Sequence, residues 1–123
     1  MEGNESLESE ESVKPTFDSI AWVTARVVFK STEEGGRSTP VEAGTYRPGF
    51  HFVGETEGYG LNVEGLNPNP LPPGAEGTMV FQFIASWAKV RHRILPGTPF
   101  LLSEGPKVVG LGEVRSVSDE APS

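Results

Sequence analysis

Glu33-Glu34-Gly35-Gly36-Arg37-Ser38-Thr39-Pro40, followed by Gly44 and then by Tyr46-Arg47-Pro48-Gly49-Phe50-His51-Phe52, is the stretch that decides how this chain folds. It reads as an acidic glycine turn between two strands. Upstream, from Ile20, apolar and polar side chains alternate. Ala21, Val23, Ala25, Val27 and Phe29 fall on one face and Trp22, Thr24, Arg26, Val28 and Lys30 on the other, the period-two pattern of a half-buried strand. Gly35 and Gly36 end that strand, because a residue without Cβ is free of the steric limits on φ and lets the chain turn. Downstream, Phe50 and Phe52 share one face with His51 on the other, and Pro48, which has no ladder donor, belongs near the strand's start.

The remainder continues in short strands. Tyr59 to Leu66 alternates more weakly. Asn67-Pro68-Asn69-Pro70-Leu71-Pro72-Pro73-Gly74 is a stiff loop that neither a helix nor a central strand tolerates. Thr78 to Trp87 is the longest apolar run, with Met79, Phe81, Phe83, Ala85 and Trp87 on one side. Pro96-Gly97-Thr98-Pro99 turns the chain, and Phe100 onward forms a terminal hairpin through Glu104-Gly105-Pro106-Lys107. No window shows a sustained, capped helical period, and 15 glycines and 11 prolines punctuate the segments. An all-β fold of about six strands follows, and closure into an antiparallel barrel removes the exposed edges that invite aggregation.

With 123 residues, 36% of them hydrophobic, the chain supplies one core. The absence of cysteine excludes disulfides and thiolate metal sites and fits a reducing, cytoplasmic compartment. No apolar run is long enough to cross a bilayer, and the acidic N-terminus is unlike a secretory signal, so no membrane partner is expected. The net charge of −7 is concentrated at the ends: Glu2, Glu5, Glu8, Glu10 and Glu11 face only Lys14 within residues 1–14, and Asp119 and Glu120 close the chain. Residues 15–118 carry nine basic against ten acidic groups. Three parts are therefore expected: a disordered acidic tail at 1–15, a barrel at 16–118, and an acidic tail at 119–123.

The quoted stretch closely resembles a signature of the C-terminal (third) domain of bacterial elongation factor Tu, in which an acidic Gly-Gly-Arg loop leads into a Tyr-Arg-Pro-x-Phe-x-Phe strand. Phe100-Leu101-Leu102-Ser103-Glu104-Gly105-Pro106-Lys107-Val108-Val109-Gly110-Leu111-Gly112-Glu113-Val114 is similar to that domain's closing hairpin. The resemblance spans roughly residues 20–118. It implies a six-stranded antiparallel closed barrel with no catalytic residues, which in the family contacts the T-stem of aminoacyl-tRNA and other proteins. It implies a non-enzymatic binding module whose partner is tRNA or a translation-related protein, or, as the alternative, a protein–protein adaptor that mimics the barrel without touching RNA. No Gly-x-x-x-x-Gly-Lys-[Ser/Thr] phosphate loop is present, so neither GTP nor GTPase activity is expected; nor is DNA, a metal or any other cofactor.

The residues on which partner binding is expected are Arg37, Ser38, Arg47, Lys89, Arg91, Arg93, Glu104 and Gly105. Arg37 matches the family's Gly-Gly-Arg, Ser38 stands where the family has histidine, and Glu104 and Gly105 match its Glu-Gly turn. Arg37 either meets a phosphate or braces its own loop through Glu33 or Glu34, and Arg47 packs beside Tyr46. After Ala85 the chain departs from the family pattern into a longer, basic segment. If extended, it projects Lys89, Arg91 and Arg93 from one face over about 13 Å, as a binding stripe or as a solvated edge that blocks sheet pairing. Glu33 and Glu34 read as loop carboxylates, not a facing catalytic pair. His51 and His92 are too few for a zinc site, and no Gly-x-Ser-x-Gly elbow supports a nucleophilic serine.

Overall fold

A computed structural model describes residues 20–122. The expected tail at 1–15 lies outside the described residues. Six strands form: β1 (Trp22–Phe29), β2 (Gly49–Phe52), β3 (Tyr59–Asn67), β4 (Glu76–Phe83), β5 (Pro99–Glu104) and β6 (Lys107–Ser118). They hydrogen-bond in the order β1-β4-β3-β2-β5-β6, every pair antiparallel, and the β1–β6 ladder closes the ring. The expected closed, all-β, six-stranded barrel is the observed fold.

The alternation seen in the sequence sets the register. Val23, Ala25, Val27 and Phe29 of β1 are all buried and face the lumen. Val23 pairs with Phe81 and Ala25 with Met79 on β4, while Ala25 pairs with Val114 on β6. Rings fill the centre. Phe50 stacks on Phe100 with centroids 4.7 Å apart and meets Phe83 edge-on at 5.0 Å, and Phe81 meets both Phe83 and Phe100 edge-on at 5.8 Å. Offset and edge-to-face arrangements of this kind add roughly 0.5–1.5 kcal/mol per pair beyond the area that they bury.

Phe100 fits only because of the residue opposite. It pairs with Gly112 across the β5–β6 ladder, and a Cβ on Gly112 would lie 2.4 Å from Phe100 Cζ and 2.9 Å from the Arg26 carbonyl oxygen. The wall is thinnest at β2, which makes only two ladder pairs with β3, Gly49 with Gly60 and Phe50 with Tyr59. Beyond them the preceding loop takes over: Leu61 N–H donates to the Pro48 carbonyl, Val63 N–H to Tyr46 and Gly44 N–H to Val63.

The segment after Phe83 corrects the reading of a strand to Trp87 and an extended stripe beyond it. The chain leaves the sheet at Ile84, forms one turn of helix, α1 (Trp87–Val90), and continues as a 3-10 turn at Arg91–Arg93. The physical reason is that Trp87, Val90 and Ile94 all turn towards the core, and the step of three from Trp87 to Val90 suits a helix face and not strand alternation.

Gly112→Ala should lower stability by about 1–3 kcal/mol, because the new methyl must displace either a ring or backbone in a close-packed lumen. Urea unfolding should show the midpoint falling with the slope unchanged.

Candidate interaction surface

The two family-like motifs meet at one end of the barrel. The loop after β1 turns at Gly35, whose φ is +92°, and folds back so that Gly36 N–H donates to the Ser31 carbonyl at 2.9 Å. A Cβ on Gly36 would sit 2.4 Å from the Lys30 carbonyl oxygen, so this close approach tolerates glycine alone. The turn delivers Arg37 to the β5–β6 hairpin, where its Nη1 donates to Glu104 Oε2. Its Nε donates to the Thr39 carbonyl at 3.1 Å, and its Nη2 donates to Thr39 Oγ1 at 3.1 Å and the Pro40 carbonyl at 3.4 Å. The guanidinium also lies over the Tyr46 ring, 4.9 Å from its centroid.

Arg37 thus does brace its loop, but through Glu104 and not through Glu33 or Glu34. Glu34 instead accepts from the Ser31 N–H at 2.9 Å within its own turn. Tyr46 completes the cluster, its hydroxyl donating to Glu104 Oε2 at 2.6 Å. Burial pushes the Tyr46 hydroxyl well above its usual range, and the neighbouring Glu104 carboxylate pushes it further. For Glu104, burial alone would raise the carboxyl, but the hydrogen bonds from Tyr46 and Arg37 outweigh it and hold the group below the ordinary carboxylate range. Four of the five N–H donors of Arg37 are committed within the protein.

Around this clasp, Ser38 and Gly105 are exposed, and Lys107 Nζ reaches the Gly36 carbonyl at 3.2 Å. Arg47 is exposed and donates through Nε to Asn62 Oδ1 at 2.6 Å, which fixes its direction without neutralising its charge.

The basic segment is placed elsewhere, and its three cations part company. Lys89 Nζ pairs with Glu57 at 3.0 Å. Arg93 grips Glu55 through both terminal nitrogens, at 3.1 and 2.5 Å, and lies 3.7 Å over the Phe52 ring. Both acids belong to the turn between β2 and β3, so these pairs tie α1 and the 3-10 turn down onto that turn. Arg91 is exposed and, among the described residues, has no carboxylate within salt-bridge distance. It lines a groove of about 630 Å³ with Ala21, Trp87, Ile94, Leu95 and Val117. No single stripe of Lys89, Arg91 and Arg93 exists: Lys89 and Arg93 face the turn between β2 and β3 together, while Arg91 lines the groove.

His51, on the outer wall, shares a hydrogen bond of 2.8 Å with the buried Ser103 through Nε2 and Oγ. No local sequence signal marks this pair, because the 52-residue separation between His51 and Ser103 is bridged only by the β2–β5 pairing. The pair is wedged between glycines: a Cβ on Gly49 would lie 2.7 Å from Ser103 Oγ, and one on Gly58 would lie 2.8 Å from His51 Cε1. Among the described residues no three His, Asp or Glu side chains converge as a metal site would require, and no helix is long and apolar enough to cross a membrane.

Strand order, register and the loop-to-hairpin clasp together define a closed barrel of the elongation factor Tu C-terminal-domain type. The chain is similar to elongation factor Tu: Elongation factor Tu 2 of Streptomyces avermitilis is 35% identical to it over 96 residues, which make up 78% of this chain and 23% of that protein. The chain therefore spans less than a quarter of the length of this curated relative. No protein-family model matches it.

Glu104→Gln should cost about 1 kcal/mol at neutral pH, a value held down by the partial exposure of the clasp. The folded carboxyl is more acidic than the unfolded one. Its contribution is therefore complete above the unfolded value near ~4.3 and is lost as pH falls through the lowered folded value. Denaturation of wild type and variant across pH 2–8 should show the difference shrinking towards the acid end.

Proposed function

We propose that this protein is a non-enzymatic binding module that acts as the C-terminal barrel of elongation factor Tu acts, engaging tRNA or a translation-related protein in the cytoplasm without binding or hydrolysing GTP. The observation that carries this reading is the retention of the family's loop and hairpin motifs in a barrel of 35%-identical sequence, with Arg37, Tyr46 and Glu104 locked together where those motifs meet. A clasp of this kind shapes the end of the barrel on which Ser38, Arg47 and Gly105 stand exposed. Arg37 and Glu104 are then positioning residues for that surface, with Arg37 keeping one donor for a partner.

The alternative, a protein-directed adaptor with no RNA contact, is favoured by the ion pairing. Phosphate recognition requires cations that are available for exchange with counterions, and Arg37, Lys89 and Arg93 each already face a carboxylate. Among the expected cationic contacts this leaves Arg47 and Arg91 as the charges not matched by an acid among the described residues.

The two readings differ in their response to salt. Binding of unfractionated tRNA, followed by fluorescence anisotropy between 50 and 300 mM KCl, should on the RNA reading show log Kd rising with log salt by roughly 0.7–0.9 per phosphate contact. Arg47→Glu should weaken that binding severalfold. No tRNA binding at the lowest salt, together with a salt-insensitive complex with a translation factor or ribosomal protein, would establish the adaptor. Loss of both would remove the proposal, as would nucleotide hydrolysis by the purified chain.

A further inference from the structure

One wall of the groove beside α1 comes from the segment that departs from the family pattern, and the family-like clasp is built from other residues. Its floor and walls come from the start of β1, the end of β6 and the α1 segment. Buried Val90 and Ile94 anchor that segment to the core. Lys89 and Arg93 tie it to Glu57 and Glu55 on the turn between β2 and β3, while Arg91 lines the groove. Arg91 shares the groove with apolar side chains and with Ser116 and Asp119. Leu95 is 57% and Val117 37% exposed, and the half-buried Trp87 of the same groove packs against the core. Among the described residues, Asp119 is the one acid lining the groove.

We propose that this groove is the docking site for an acidic peptide segment of a partner protein, one that presents a carboxylate to Arg91 and a large apolar side chain to Trp87, Leu95 and Val117. This rests on the reading of the chain as a binding module and names the partner class at a second place on it. Charge complementarity selects the occupant. A lone arginine beside apolar side chains matches a single carboxylate, with which a guanidinium forms paired, parallel hydrogen bonds. A nucleic acid backbone needs several cations in a row, whereas here the neighbouring two are occupied. Tryptophan and arginine flanked by aliphatic groups are also the side chains in which binding energy concentrates at protein interfaces.

The chain has two tryptophans, so Trp22→Phe in the full-length protein leaves Trp87 as the sole reporter. Its emission is titrated with the synthetic peptide acetyl-Glu-Glu-Leu-Phe-Glu-Glu-amide and with a control in which lysine replaces each glutamate. The expected result is a saturable change with the acidic peptide only, weakened roughly tenfold or more by Arg91→Glu and strengthened severalfold by Asp119→Asn. A binding curve unaffected by Arg91→Glu, or equal binding of the lysine peptide, would overturn the proposal. So would the absence of any saturable change in a variant whose circular dichroism matches the wild type. Binding that emerges only when Glu2, Glu5, Glu8, Glu10 and Glu11 are all changed to Gln would also overturn it, by assigning the groove to the chain's own acidic segment. The tRNA measurement on the Arg91→Glu variant separates the two conclusions: unchanged tRNA affinity with lost peptide binding upholds this site independently, and a silent peptide titration with intact tRNA binding removes this site alone.

Discussion

Closing six short strands into one ring leaves a lumen that planar side chains must fill, and the rest of the structure depends on that fit. Phe50, Phe81, Phe83 and Phe100 interlock there, fully buried or nearly so, and their thickness sets how far apart opposite walls stand. Where a ring comes close to the backbone, the opposing position carries no side chain, as Gly112 does beneath Phe100. Barrel radius, strand register and the glycine pattern of β6 are therefore one constraint expressed three times. The clasp and the groove are mounted on the outside of this ring or across its ends, although Tyr46 and Trp87 also pack against its core.

Much of the barrel was legible because β structure writes itself with period two. Val23 to Phe29 and Phe50 to Phe52 alternate without error, and the Glu104-Gly105-Pro106-Lys107 turn marks the last hairpin. The segment from Ile84 to Leu95 was misread for a definite reason. Trp87, Val90 and Ile94 do carry a helical spacing, but over so few residues that alternation of Val90, His92 and Ile94 fits equally well, and only packing against the core decides between them. The candidate site was legible in part. That Arg37 matters followed from its motif; that its partner is Glu104, 67 residues away, depends on which hairpin the barrel brings to that end, information that no local window holds.

The distribution of charge has the same logic. Alternation of Lys89, Arg91 and Arg93 in an extended chain would make a basic stripe, yet the turn between β2 and β3 supplies Glu55 and Glu57 at the spacing needed to neutralise Arg93 and Lys89. Pairing of exposed groups such as these adds little to stability. Its larger effect is on selectivity, because it decides which cations remain for a partner. Of the three expected in a stripe, only Arg91 stands without an acid partner among the described residues, and it lies beside the groove.

The short contact of β2 with β3 gives the ring a preferred place to yield. Two ladder pairs and three loop hydrogen bonds hold that stretch, where the β1–β6 ladder holds eight positions in register. Amides along Tyr59 to Val63 are therefore the ones whose exchange with solvent reports partial breathing, not global unfolding. Tyr46, whose carbonyl receives one of those hydrogen bonds, also donates its hydroxyl to Glu104, so the clasp and the weak wall share a residue. A ligand that grips the clasp end would thereby also damp the breathing of the wall, joining recognition at the rim to rigidity along the side of the barrel.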